Sequence, residues 1–174
     1  MHIVDDIPAG PKVPDLVNVV VEIPRGSQNK YEFDKKSGLL MLDRVLFSAV
    51  HYPADYGIIP QTLADDGDAL DALVLVSNPT YPGTLVAARP LGMLTMIDAG
   101  EGDDKILCAA VKDVRLANLT DITDVSQGIL NEISTFFGTY KQLEGKTVKI
   151  QGWENAAAAK KAITKAVEAY KKRK

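Results

Sequence analysis

The stretch "DDGDALDALVLV", residues 65–76, joins four carboxylates, Asp65, Asp66, Asp68 and Asp71, to an apolar run. A short apolar run rich in Leu and Val reads as a buried strand, so the acids stand at the entrance to a core. Like charges this close repel one another, and a buried carboxylate without a partner costs several kcal/mol or takes up a proton. A cation answers both problems. Carboxylate oxygens without Cys or His favour magnesium, calcium or manganese over zinc or copper. The EF-hand loop is excluded by spacing: counted from Asp66, its fifth position is Leu70, its glycine position is Asp71 and its closing glutamate position is Ser77.

Outward from this stretch, short strands and turns dominate the first two thirds of the chain. "LVNVVVEI" (16–23) is β-branched and ends before Pro24, while "KYEFD" (30–34) and "LLMLDRVLF" (39–47) flank the turn "KKSG". Alternation puts Lys30, Glu32 and Asp34 on one face of their strand and Tyr31 and Phe33 on the other. "TLVAARPLGMLTMID" (84–98) reads as one or two strands bent at Pro90, and "KILCAAVKD" (105–113) as another. Such a series predicts a closed or strongly coiled antiparallel sheet of barrel type. Helices follow. The first, in "DVSQGILNEISTFFGTYKQLE" (124–144), has Asp124 as its expected cap and an apolar stripe of Ile129, Ile133, Phe136, Phe137 and Tyr140. The second, in "ENAAAAKKAITKAVEAYKKRK" (154–174), is alanine-rich with a cationic end that suits the helix dipole. Neither an internal repeat nor a linker divides residues 1–174, which read as one domain.

A second acidic group, "MIDAGEGDDK" (96–105), also closes an apolar strand and supplies Asp98, Glu101, Asp103 and Asp104 before Lys105. Two such clusters at strand ends can face one cavity and hold two or more divalent ions, an arrangement suited to phosphoryl chemistry. Lys30, Arg44, Lys105 and Lys141, each beside a carboxylate or a tyrosine, are the donors that phosphate oxygens require. Any one of them alone would be read as a surface charge. Together they point to a phosphorylated substrate.

Composition excludes other roles. The net charge of −3, from 20 basic and 23 acidic side chains, leaves no general basic field for nucleic acid, and aromatic content is 6%. No apolar run reaches the about 18 residues of a membrane span, and the N-terminus lacks a signal-peptide pattern. The single cysteine, Cys108, lies in an apolar run and reads as a buried, inert thiol in a reducing compartment. His51 reads as packing or surface.

The ordered series "NVVVEIP", "KYEFD", "LDRVLF", "YPADYGIIPQTL", "DDGDALDALVL", "VAARPLGML", "MIDAGEGDDKIL", "FFGTYKQLEGK" and Gly152–Trp153 resembles the soluble family I inorganic pyrophosphatases over nearly the whole chain. The resemblance implies an α+β fold, a small, strongly coiled antiparallel β-barrel of OB-like form flanked by two main helices. It implies Mg2+-dependent hydrolysis of pyrophosphate to two orthophosphates without a covalent intermediate, several ions per site, and Mn2+ as a substitute. By the same resemblance Asp66, Asp71, Asp98, Asp103 and Glu32 are metal ligands and Asp68 is the general base. Lys30, Arg44, Tyr56, Lys105, Tyr140 and Lys141 bind phosphate, with Glu22, Tyr52 and Asp65 as supports. A cytoplasmic homo-oligomer, a hexamer by the habit of prokaryotic relatives, is also implied, with neither nucleic acid nor membrane as partner. Ala69 and Ala110 stand where the family often has proline, which removes no ligand. The rivals are a non-catalytic OB-like module for single strands and a metal-dependent phosphohydrolase acting on nucleotides or esters, which would need an apolar wall for its substrate.

Overall fold

The computed structural model describes residues 2–34 and 36–173. Its elements are α1 (Ile3–Asp6), β1 (Val17–Ile23), β2 (Asn29–Phe33), β3 (Leu40–Val45), β4 (Asp55–Ile59), β5 (Leu70–Leu75), β6 (Leu85–Asp98), β7 (Glu101–Gly102), β8 (Lys105–Ala110), α2 (Gln127–Thr139), β9 (Val148–Asn155) and α3 (Ala156–Arg173). Five strands run β1-β4-β5-β8-β6, and β6 pairs back onto β1, closing the sheet into a coiled ring. β7 and β9 extend it along β6, and β2–β3 form a separate hairpin. Among the described residues no helix is long and apolar enough to cross a membrane.

The continuous apolar runs follow from burial on both sides of the sheet. In β5 and β8, Leu73 and Leu107 join a cluster with α2, while Ala72, Val74, Ile106 and Cys108 join one with α3. Cys108 is fully buried, and that burial raises its thiol pKa well above the ordinary value.

Several expectations are met and several are refined. β6 is one strand of 14 residues whose register slips between Pro90 and Gly92, a bulge at the predicted bend. The sheet is antiparallel apart from one pairing, because β5 and β8 run parallel. Helix α2 is capped by Ser126, which accepts the Gly128 N–H. Asp124 instead accepts from the backbone of Thr120 and Asp121 in the preceding 3₁₀ turn, so the residue three positions before Gln127 serves a different element. On α2, Leu130 is buried in place of Ile129, which is 38% exposed, and Ile133, Phe136 and Phe137 are buried as predicted, as is Tyr140 just past the helix end. His51 is exposed. The sequence pattern marks neither β4 nor β9. The first is hidden by Gly57, where a Cβ would come within 1.9 Å of the Val20 carbonyl oxygen, so only glycine lets β1 and β4 pair.

Candidate active site

Topology gathers the acids. Because β5 and β8 are parallel, their first residues lie at the same end of the ring, and Asp71 stands opposite Lys105. Antiparallel β6 brings its last residue, Asp98, to that end as well. There the chain turns through Ala99 and Gly100, both at positive φ, into β7, and Asp103 and Asp104 follow. Tyr56 on β4 reaches across to Asp71, donating its hydroxyl proton to Oδ2 at 2.6 Å. Tyr140 and Lys141 follow directly on helix α2.

These groups line one cavity of about 280 Å3, formed by Glu22, Lys30, Tyr31, Glu32, Tyr56, Asp66, Asp68, Asp71, Asp98, Asp103, Lys105, Tyr140 and Lys141. All of its lining residues are acids, lysines or tyrosines, so a ligand held here is held by charge and hydrogen bonds. Tyr52, Tyr56, Phe136, Phe137 and Tyr140 form a connected aromatic floor with ring centroids 4.7–6.1 Å apart, and Lys105 Nζ lies 5.8 Å from the Tyr56 ring and 5.9 Å from that of Phe137.

The charges are interleaved. Lys105, 2% exposed, donates to Asp71 Oδ2 at 2.5 Å and to Asp103 Oδ1. Lys141 pairs with Asp98, and Lys30 pairs with Glu32 and, at 3.2 Å, with Asp43. Burial opposes the Lys105 ammonium, but Asp71 and Asp103 outweigh it and its pKa rises. Burial raises the Asp103 carboxyl against the pull of Lys105. Glu22, 6% exposed, accepts the Phe33 N–H at 3.0 Å and is pushed up to about 8, chiefly by burial. The phenols of Tyr52, Tyr56 and Tyr140 are all raised, first by burial and then by the charges and hydroxyls around them, so they act as neutral donors.

Among the described residues no three acids converge as a ready-made metal cage, because lysine ammonium groups stand between them. The residues nonetheless fit a hard divalent cation. Every donor at the strand ends is an oxygen, and Asp98 Oδ1 is buried without a hydrogen-bond partner while Oδ2 takes Lys141.

Three residues of the predicted set lie outside the cavity lining. Arg44 on β3 donates through Nε to Glu144 at 2.9 Å and through Nη1 to Asp43 at 2.5 Å, leaving Nη2 buried without a partner. Tyr52 lies in the aromatic floor beneath. Asp65 is exposed and pairs with Lys165 of α3 at 3.0 Å. Conversely, Tyr31 lines the cavity although alternation set it on the face opposite Lys30. The register of β2 against β3 slips between those two residues, and such a bulge breaks the alternation. Nothing local in "KYEFD" signals it.

Comparison with known proteins finds relatives of one family. The family profile described as inorganic pyrophosphatase matches residues 19–171. The inorganic pyrophosphatase of Synechocystis is 52% identical over 165 residues, covering 95% of this chain and 97% of that protein. The crystal structure of inorganic pyrophosphatase from Thermus thermophilus superposes with a TM-score of 0.95 at 45% identity, over 98% of this chain and 99% of that one. That of the type I inorganic pyrophosphatase from Toxoplasma gondii gives 0.87 at 27% identity, over 100% and 89%.

Proposed function

The chain belongs to the inorganic pyrophosphatase family, and on that premise we propose that it works as a single domain hydrolysing pyrophosphate to two orthophosphates by direct attack of water. The observation that carries this reading is the cavity itself, where acids from both clusters, three lysines and three tyrosines face one small volume. Pyrophosphate is small, highly charged and without an apolar part, and this lining matches it.

Asp66, Asp71, Asp98, Asp103 and Glu32 would hold the metal ions, for which magnesium is the hard-oxygen choice. Bound there, magnesium supplies positive charge to the phosphate oxygens and acidifies water. Asp68, on the exposed rim of the acidic loop, accepts the proton of the attacking water as its oxygen bonds to phosphorus and the bridging P–O bond breaks. Lys30, Lys105 and Lys141 hold phosphate oxygens and stabilise the charge on the departing phosphate, and Arg44, outside the cavity lining, adds its charge from beside Lys30, with which it shares Asp43. Tyr56 and Tyr140 add neutral hydroxyl donors, while Glu22 in the lining, Tyr52 in the aromatic floor and Asp65 through Lys165 support the frame. Water being the nucleophile, no phosphoenzyme forms. A cytoplasmic location and assembly as a homo-oligomer, a hexamer by family resemblance, extend the same reading.

Phosphate release from pyrophosphate and from ATP, each with and without magnesium, tests it. Rapid magnesium-dependent release from pyrophosphate is expected. Preference for ATP with magnesium, or no release from pyrophosphate, would refute it.

A further inference from the structure

We infer that Thr62 is the positioning residue of the acidic loop, its one hydroxyl setting where Asp66, Asp68 and Asp71 stand. The inference rests on the metal-binding reading of those acids. Strand β4 ends at Ile59 and β5 begins at Leu70, which are cross-strand partners. Thr62 lies between them, 1% exposed, and its Oγ1 donates to the Ile59 carbonyl at 2.5 Å and accepts the Leu70 N–H at 2.8 Å. A hydroxyl has one proton, so these two bonds assign it completely. In effect Thr62 supplies the last rung of the β4–β5 ladder and closes the stem of the loop above it.

The rest of the loop is built on that stem. The Ala64 N–H donates to the Asp68 carbonyl at 2.7 Å, and the Asp68 N–H donates to Asp66 Oδ1 at 2.9 Å. Leu63 N–H donates to the Ala166 carbonyl of α3 at 3.0 Å, anchoring the same stem to the helix. Asp71 follows Leu70 by one residue, and because side chains alternate along a strand, a slip of one position there would turn it away from the cavity.

A strained residue delivers the hydroxyl. Gln61 has φ 51°, uncommon for a residue with a Cβ, and this left-handed step turns the chain so that Thr62 sits back over Ile59. α1 holds it there: the Gln61 N–H donates to the Val4 carbonyl and its Nε2 to the Asp5 carbonyl, both at 2.9 Å. Thr62 is absent from the cavity lining, so it acts through the loop and not on a substrate.

The test is magnesium affinity by calorimetry, with phosphate release alongside, for the wild-type protein, Thr62→Val and Thr62→Ser. Serine keeps the hydroxyl and should keep the affinity, whereas valine, nearly the same shape, should bind magnesium roughly tenfold or more weakly, the scale at which groups that orient metal ligands act. Valine binding like wild type, or serine losing as much as valine, would overturn the inference. Should the valine variant not fold, exchange of the Leu70 amide in metal-free wild-type protein decides the matter: slow exchange supports a preset stem, and exchange that slows only on adding magnesium overturns it. Wild-type protein that takes up no magnesium would instead remove the metal-site reading, and the inference with it.

Discussion

Lys105 stands opposite Asp71 on neighbouring parallel strands, its ammonium 2.5 Å from Oδ2 and also paired with Asp103. This almost fully buried cation is shared by two acids that the proposed reaction assigns to metal and offsets part of their charge. The site is therefore electrostatically prepared before any ion arrives, and its lysines and its metal ions act on the same carboxylates.

Replacing Lys105 by methionine keeps the length but removes the charge. Breaking a buried pair from one side costs about 3–5 kcal/mol, so the metal-free variant should unfold at markedly lower denaturant concentration than the parent. Magnesium, by neutralising Asp71 and Asp103, should stabilise the variant more than the parent. Denaturation curves with and without magnesium check both points, and equal magnesium stabilisation in the two proteins would contradict the shared role.

Asp68→Asn removes the proton acceptor while preserving size. Turnover on pyrophosphate should fall by roughly 10²–10⁴, the usual contribution of a general base, with magnesium affinity close to wild type. Phosphate release and calorimetry measure the two separately. Full turnover in the asparagine variant would eliminate Asp68 as the base.

Glu22 makes stability depend on pH. Its carboxyl is raised from 4.5 to about 8, first by burial, so between these limits the folded chain keeps a proton that the unfolded chain has lost. This contribution to stability is complete below about 4.5 and is lost as pH rises through about 8, falling by about 1.4 kcal/mol per pH unit within the window. Asp103 and Asp104 are raised too, by burial first, and act in the same direction. Chelator-treated protein should accordingly become less stable from pH 5 to pH 8, and Glu22→Gln should flatten much of that slope. Identical slopes in parent and variant would show that Glu22 is already ionised in the folded state.

Gly57→Ala tests the close approach that forms the ring. With a Cβ 1.9 Å from the Val20 oxygen, β1 and β4 must part. The expected loss is at least the roughly 1–3 kcal/mol of an overpacked core, visible as a lower melting temperature, together with reduced activity because the preceding residue, Tyr56, lines the cavity and donates to Asp71. A melting temperature equal to that of the parent would show that the strands part without cost.

Much of this molecule is written along the chain. Local patterns mark β1, β5, β6 and β8, both main helices, two acidic clusters at strand ends and the lysines beside them, because hydrophobic period and charge spacing depend only on near neighbours in sequence. The ordered motifs are specific enough to indicate the family. Other features exist only between distant segments. The parallel pairing of β5 with β8 sets Lys105 on Asp71, the closure of β6 onto β1 completes the ring, and the bulge in β2 turns Tyr31 toward the cavity. Each depends on which partner the backbone finds across the fold, and pairing energies between strands remote in sequence leave no trace in the composition of either strand.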